Sequence, residues 1–215
     1  MYKNIFFDLD GTLTDSKEGI VNGIIYGLKK IGITDSVENL VKFIGPPLFD
    51  SFQTEYGVSP EESRKAVEGY REYFKDKGIY ENKMYEGAKN LLEKLKKEGY
   101  RLVLATSKPE PFALRILDYF DIAKYFDYAF GATFTPERAT KALVIKWGLE
   151  HIDGIKKEET VMVGDREHDM SGAKANGLDC IGVAYGYGGE EELKECNATF
   201  IAKNFDELYK IIKEN

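Results

Sequence analysis

The chain has 215 residues, of which 43% are apolar and 31% charged, and its formal net charge is -7 at pH 7. This composition is that of a globular protein with one core and a small accessory unit, and no stretch approaches the roughly 20 apolar residues of a membrane span. The negative charge disfavours broad binding to nucleic acid, whose phosphates attract basic surfaces.

The first predicted element is a short buried strand from Lys3 to Asp8. Its apolar run is too short for a secretory signal, and acidic residues interrupt it at once. The two cysteines of the chain provide neither a disulfide framework nor a metal-ligand spacing. We therefore expect a cytoplasmic protein.

The stretch from Asp15 to about Tyr80 is predicted to be wholly helical, without a convincing strand. Capping and turn residues divide it into four helices. The first begins at Asp15 or Ser16, with a capping box closed by Glu18, and stops at Gly32; the second is short and ends at Gly45-Pro46-Pro47. The third runs from Pro47 to Gly57. The fourth begins at Ser59, with Pro60 as its first residue and a capping box closed by Glu62, and ends at Gly78.

From about Met84 helices and strands alternate, which predicts a parallel sheet. The predicted helices span 87–98, 112–119, 140–147 and 171–176, and the strands span 101–106, 128–131, 160–164, 179–183 and, at an edge, 199–201. The predicted fold class is α/β, with a doubly wound, Rossmann-like parallel sheet and a small all-helical domain inserted after the first strand. The predicted limits are 1–14 and 82–215 for the core and 15–81 for the insert.

Polar residues at strand ends carry the functional argument, because ligands bind beyond the carboxyl ends of such strands. Asp8 and Asp10 follow the first strand two residues apart, and Gly11 allows a turn that aims backbone amides at an anion. Asp-Gly is also an ordinary turn pair. Two acids behind a buried run, however, repel each other unless a cation or a shared proton lies between them, which favours a site.

A second acidic pair, Asp165 and Asp169, follows the strand 160–164. Oxygen ligands from several carboxylates suit Mg²⁺. An alternative reading makes Asp169 only the N-cap of the next helix. Both acidic pairs at strand ends nevertheless predict a magnesium site.

Two weaker signals involve hydroxyl and lysine side chains. Thr106 and Ser107 follow another strand, where hydroxyls and backbone amides could hold phosphate oxygens. Lys141 is predicted in the first turn of a helix, where the helix dipole disfavours a cation, and this position suggests a functional charge. Each of the three could equally be an ordinary surface residue.

In this order the motifs resemble those of the haloacid dehalogenase superfamily, in the branch of phosphoglycolate phosphatases and 5′-nucleotidases. Asp8-Leu9-Asp10-Gly11-Thr12 matches the first motif, Thr106 the second, Lys141 the third, and the segment Gly164–Asp169 the fourth. The similarity covers essentially the whole chain, and the helical insert corresponds to the small cap of the family.

The resemblance implies a phosphatase that works through an aspartyl-phosphate. Asp8 would be the nucleophile, and Asp10 would protonate the leaving group and later activate water. Thr106 and Lys141 would stabilise charge on the transferring oxygens. The expected partner is a small phosphorylated metabolite, bound by a chain that is a monomer or homodimer.

The resemblance also implies a ligand set for Mg²⁺ and a substrate-binding set. Asp8, the backbone carbonyl of Asp10 and Asp165 would hold the ion, while Asp169 would orient a ligand or a bound water. The substrate-binding residues would be Gly11, Thr12 and Ser107 in the core, and Gly45 and Pro46 in a cap loop. The cap loop could also be an ordinary turn between helices.

Three other functions remain to be weighed. A dehalogenase is disfavoured, because such enzymes lack an acid at the position of Asp10. A sugar-phosphate mutase would keep every motif, and only the acceptor of the phosphoryl group distinguishes it. A non-enzymatic switch phosphorylated on aspartate would need neither Asp10 nor a cap.

Overall fold

The structure is a computed structural model and describes residues 1–133 and 136–215. The strands are β1 (Asn4–Phe7), β2 (Thr14–Asp15), β3 (Lys83–Met84), β4 (Arg101–Pro109), β5 (Tyr128–Ala132), β6 (Thr160–Gly164), β7 (Asp179–Val183) and β8 (Phe200–Ala202). The α-helices are α1 (Lys17–Lys29), α2 (Val37–Leu40), α3 (Leu48–Tyr56), α4 (Pro60–Tyr73), α5 (Ala88–Lys97), α6 (Glu110–Tyr119), α7 (Lys141–His151), α8 (Glu167–Ala175), α9 (Gly189–Glu195) and α10 (Phe205–Glu214).

The chain forms two compact units, one of Met1–Thr14 with Met84–Asn215 and the other of Asp15–Lys83. The short strands β2 and β3 form a two-stranded sheet where the chain passes from one unit to the other. Neither strand was predicted, since two residues carry no periodic pattern. The chain returns to the larger unit after residue 83, two residues beyond the predicted boundary at 81.

A six-stranded sheet in the order β5-β4-β1-β6-β7-β8 forms the centre of the larger unit. All of its neighbouring strands run parallel. The order reverses at β1, which lies between β4 and β6, as in doubly wound sheets. This topology confirms the predicted fold class.

The central strands are fully buried, which explains their continuous apolar runs. On one face, Phe6 of β1 and Met162 of β6 belong to the same core cluster as Val144 of α7 and Met170 of α8. These helices therefore pack directly beneath the strands whose ends carry the acidic residues.

Two elements of the larger unit differ from prediction in ways that affect the candidate site. Strand β4 continues to Pro109, so Ser107 lies within the strand and not in a loop after it. Helix α8 begins at Glu167, so Asp169 is in its first turn and is not the N-cap of a helix at 171. Pairing with β5 extends β4, and capping bonds at Arg166 and Asp169 start α8 earlier than the residue pattern indicates.

The smaller unit contains α1 to α4, a 3₁₀ turn at Val41–Phe43 and a π-helical segment at Phe74–Gly78. Helices α1 and α4 pack closely because α1 presents glycines to its partner. A Cβ at Gly27 would lie 2.2 Å from the carbonyl oxygen of Ala66. Close backbone packing thus depends on the missing side chain at this position.

The caps of this unit were predicted unevenly. The box of Ser59 and Glu62 that begins α4 is present, and Gly57 ends α3 in the left-handed conformation. The box predicted for α1 is wrong: its N-cap Ser16 makes no side-chain capping bond, and Asp15 instead accepts a bond from the amide of Lys17.

Two further limits in this unit differ from prediction. Helix α1 ends three residues before Gly32, and Pro47 precedes α3 as its N-cap instead of lying inside it. Among the described residues, no helix has the length and apolarity that crossing a membrane requires.

Candidate active site

The site lies at the carboxyl ends of β1, β4 and β6. Parallel pairing sets Phe7, the last residue of β1, beside Leu104 and Val163, so Asp8 leaves β1 next to β4 and close to the end of β6. The amide of Asp8 continues the ladder by donating to the carbonyl of Val163 at 2.9 Å. Strand register therefore brings together acids that are more than 150 positions apart in the chain.

Lys141 links two of these acids through buried ion pairs. Its Nζ lies 2.6 Å from Asp8 Oδ1 and 2.9 Å from Asp169 Oδ1, and it donates to the carbonyl of Ala105 at 2.9 Å. Burial works to lower the pKa of Lys141, but the charges of Asp169 and Asp8 outweigh it and raise that pKa. Lys141 is therefore a fixed cation inside the site.

The start of helix α7 places this lysine. Thr140, predicted as the first helical residue, is instead the N-cap, and its side chain accepts from the amide of Leu143 at 3.4 Å. Lys141 is the first residue of α7 and lies in its first turn, as predicted. A cation at a helix N-terminus is unfavourable to the dipole. The ion pairs with Asp8 and Asp169 compensate for it.

Asp165 is completely buried and held by two donors from different loops. Its Oδ2 accepts from the amide of Tyr187 at 2.7 Å, and its Oδ1 accepts from Thr12 Oγ1 at 3.4 Å. Burial, followed by the negative charges of Asp169 and Asp8, raises the pKa of this carboxyl well above its ordinary value. The structure thus concentrates more negative charge here than Lys141 alone balances.

Asp169 makes contacts through both of its oxygens. Its Oδ2 accepts from the amides of Asp165 and Arg166, each at 3.1 Å, and its Oδ1 is paired with Lys141. Burial works to raise the pKa of Asp169, but Lys141, the nearby His168 and the amide of Arg166 hold it below the ordinary value. Asp169 therefore remains an anion that fixes the backbone beside Asp165.

Asp8, Asp165 and Asp169 can each offer a carboxylate oxygen such that all three oxygens lie within 4.8 Å of one another. Burial is also the main factor that raises the pKa of Asp8, against the opposing effect of Lys141. Three buried carboxylates with one lysine leave an excess of negative charge, and a hard cation with oxygen ligands suits such a set. The donor set fits Mg²⁺.

Asp10 is not one of these three acids and pairs with a second lysine. Lys108 Nζ is 2.8 Å from Asp10 Oδ2, and the side chains of both residues are largely buried. Thr106 is buried, and its Oγ1 accepts from the amide of Lys108 at 3.2 Å. Sequence reasoning assigned nothing to Lys108, although its i+2 spacing from Thr106 could have signalled a shared strand face.

Two glycines allow the loops around Asp165 to approach it. A Cβ at Gly11, whose φ is +82°, would lie 2.2 Å from Asp165 Oδ2. A Cβ at Gly186 would lie 2.3 Å from Asp165 Cβ. The loop after β7, which supplies Gly186 and the amide of Tyr187, was given no chemistry at the sequence level, because backbone donors leave no signal in residue type.

The other predicted residues are placed as follows. Thr12 is buried at the turn after β1, and Ser107 is half-buried in β4. Gly45 and Pro46 belong to the smaller unit, between the 3₁₀ turn and α3, and their substrate contacts stay a prediction. The buried Cys180 lies in the core of the larger unit.

Comparison with known proteins identifies the family. A family profile described as haloacid dehalogenase-like hydrolase matches residues 5–183. A solved structure from Clostridium acetobutylicum, described as a predicted phosphatase, superposes with a TM-score of 0.95 and 45% identity over 100% of both chains.

Curated relatives with different names are similar over most of their length. A 5′-nucleotidase of Pseudomonas aeruginosa is 39% identical over 100% of this chain and 97% of its own. A phosphoglycolate phosphatase of Vibrio parahaemolyticus is 30% identical over 98% and 96%, respectively. A protein named tyrosine-protein kinase PtkA, of Mycobacterium tuberculosis, is 37% identical over 95% of this chain and 70% of its own.

The profile match covers most of the chain, and the similarity to the nucleotidase covers all of it. Both agree with the parallel sheet and with the motifs at its strand ends. The predictions of the family and of a phosphatase-type enzyme are confirmed. This chain belongs to the haloacid dehalogenase-like hydrolase family.

Proposed function

We propose that this protein is a Mg²⁺-dependent phosphatase that hydrolyses a small phosphomonoester through an aspartyl-phosphate on Asp8. The observation that supports it most directly is the buried cluster in which Lys141 pairs with Asp8 and Asp169 while Asp165 lies within carboxylate reach. This cluster combines a nucleophile, a cation and a set of metal-type ligands. It contributes little to the stability of the fold, because burying these charges is costly.

In the first half-reaction, the carboxylate of Asp8 attacks phosphorus and the ester P–O bond breaks. The leaving oxygen takes a proton from the carboxyl of Asp10 and departs as an alcohol. Lys141 keeps Asp8 ionised and oriented through the 2.6 Å contact and stabilises charge on the phosphoryl oxygens. The product is an acyl-phosphate on Asp8.

In the second half-reaction, water attacks the same phosphorus atom. Asp10, now a carboxylate, takes the proton of this water, and the acyl-phosphate P–O bond breaks. Inorganic phosphate leaves, while Asp8 regains its carboxylate and Asp10 its proton. Thr106 would assist by holding phosphate oxygens, together with the amides near Gly11 and Ser107.

The residues that would hold Mg²⁺ are Asp8, Asp165 and the backbone carbonyl of Asp10, with Asp169 as the anion that orients them. When bound, the ion would offset the repulsion between the anionic nucleophile and the phosphate. Asp169 suits an orienting role because both of its oxygens already have partners in Lys141 and in two amides.

The substrate that we propose is of the phosphoglycolate or nucleotide class, in keeping with the names of two relatives. We also propose that the unit of residues 15–81 or 15–83 is a cap that selects the substrate, with Gly45 and Pro46 in its substrate-facing loop. The working form would be a cytoplasmic monomer or homodimer without nucleic-acid partners.

The test is release of inorganic phosphate from phosphoglycolate, nucleoside monophosphates, pyrophosphate and hexose phosphates, with Mg²⁺ and after chelation. We expect turnover that requires Mg²⁺ and that Asp8→Asn abolishes on every ester while the fold stays intact. Asp118→Asn, at an exposed position on α6, is the matched control and should retain activity. Turnover that persists in Asp8→Asn would contradict the mechanism.

The same core could pass the phosphoryl group to a hydroxyl other than that of water, as a sugar-phosphate mutase does. The kinase name of one relative likewise denotes transfer to a hydroxyl. Isomerised sugar phosphate, or phosphate retained on an added acceptor in place of free phosphate, would favour this alternative. Phosphorylation of Asp8 without turnover would instead indicate a switch.

A further inference from the structure

Asp10 is anchored by a lysine that the proposed mechanism leaves without a role. Lys108 Nζ lies 2.8 Å from Asp10 Oδ2, and the two side chains are only 4% and 13% exposed. The other oxygen, Asp10 Oδ1, is buried and has no hydrogen-bond partner among the residues that the structure describes. The carboxyl group is thus fixed at one oxygen and available at the other.

Lys108 is itself fixed by the end of β4. Its amide donates to Thr106 Oγ1, and the pairing of β4 with β5 shifts register between Thr106 and Pro109. Such irregularities change the direction in which strand side chains point and are common beside active sites. The strand end therefore places the ammonium group at Asp10 instead of letting it extend into solvent.

The two buried lysines of the site have different partners. Lys141 pairs with Asp8 and Asp169, whereas Lys108 pairs with Asp10. Stability is a poor explanation for burying a second ion pair, since buried pairs contribute little net stabilisation. A role in orienting Asp10 does explain it.

We propose that Lys108 is a positioning residue, which holds Asp10 through Oδ2 so that Oδ1 is left to exchange the proton with the leaving oxygen and the attacking water. This inference rests on the proposed function, in which Asp10 is the acid and base. Without Lys108, the Asp10 carboxyl group loses its anchor and samples orientations in which proton transfer fails. A displacement of this kind can reduce the rate by about 10²-fold.

The leaving group distinguishes this role from a structural one. A good leaving group, such as a dinitrophenolate, departs without a proton, whereas an alkoxide needs one. Loss of Lys108 should therefore lower kcat/KM strongly for alkyl phosphates and only slightly for dinitrophenyl phosphate. Binding of the substrate by Lys108 would instead raise KM for all esters.

The experiment compares the full-length wild type, Lys108→Met, Asp10→Asn and the double variant, each with saturating Mg²⁺. The substrates are phenyl phosphates with leaving groups of graded acidity and one alkyl phosphate, with kcat and KM measured for each. Lys146→Met, on the exposed side of α7, controls for the loss of a lysine.

For Lys108→Met we expect kcat/KM, which reports the first half-reaction alone, to fall roughly 10²-fold on the alkyl ester and little on the dinitrophenyl ester. The value of kcat alone does not distinguish the esters, because water attack on the shared aspartyl-phosphate also needs Asp10. The double variant should be no slower than Asp10→Asn alone on the alkyl ester, because the two residues act as one unit.

An equal loss of kcat/KM on all esters, or a higher KM with kcat retained, would overturn the proposal. If Lys108→Met does not fold, the double variant still tests the inference, because it leaves no unpaired buried charge. A rate below that of Asp10→Asn on the alkyl ester then refutes the inference. Failure of the proposed function has a separate signature, the absence of Mg²⁺-dependent phosphate release by the wild type from every ester.

Discussion

The substitution Gly186→Ala tests whether the loop after β7 sets the position of Asp165. The new Cβ would lie 2.3 Å from Asp165 Cβ and 2.5 Å from the carbonyl oxygen of Gly11, whereas ordinary contact begins at 3.4 Å. Asp165 or Gly11 must therefore move by about 1 Å, and a displacement of this size can cost roughly 10²-fold in rate. Overpacking of this kind lowers the free energy of unfolding by about 1–3 kcal/mol.

The assay measures kcat/KM for Mg²⁺-dependent phosphate release together with the urea midpoint of unfolding. Gly189→Ala, at the first residue of α9 directly after this loop, is the matched control: its φ is +73°, and among the described residues nothing lies within 4 Å of the added Cβ. It should cost about 1–2 kcal/mol of stability from backbone strain without displacing Asp165. If Gly186→Ala loses no more activity than Gly189→Ala, the loop does not position Asp165 and the reasoning is wrong.

Three further predictions concern stability. Lys141→Met leaves two buried carboxylates without their cation and should lower the free energy of unfolding, measured in urea without Mg²⁺, by about 3–5 kcal/mol. Gly27→Ala should lower it by about 1–3 kcal/mol, because the Cβ would lie 2.2 Å from the carbonyl oxygen of Ala66, and an unchanged urea midpoint would contradict the packing argument. Hydrogen bonds from the backbone and hydroxyl of Ser59 hold the pKa of Glu62 below its ordinary value of 4.5. This contribution is present above pH 4.5 and is lost as the pH falls through the lower folded-state pKa, so Glu62→Gln should flatten the acid limb of a pH series of thermal midpoints.

The elements that could be predicted from the sequence are those whose burial or caps are local. Strands β6 and β7 have the predicted limits, because fully buried parallel strands read as continuous apolar runs. Helix α4 begins as predicted, since Ser59 and Glu62 satisfy the first amides by themselves. The failed box of α1 shows the limit of this approach: Asp15 belongs to β2, a strand of two residues that exists only through pairing with β3.

The acids at the strand ends could be predicted because a parallel sheet collects its carboxyl ends at one edge. The structure brings Asp8, Asp165 and Asp169 together as that rule requires. The amide of Tyr187 could not be predicted, because every residue except proline carries such a donor. Lys108 was missed because β4 was expected to end at 106, and its side chain reaches Asp10 only because the strand continues.

The distribution of charge indicates why the site contains two buried lysines and not one. Lys141 is paired with Asp8 and Asp169, which in the proposed mechanism act as anions, one in the attack and the other in ordering the ligands. In the same proposal Asp10 gains and loses a proton in each cycle, and a shared cation would couple that change to the nucleophile. A separate partner, Lys108, anchors Asp10 without drawing on Lys141. The separation of the two ion pairs thus gives the proposed acid–base group a cation that is not shared with the proposed nucleophile, although the two acids are two residues apart in the chain.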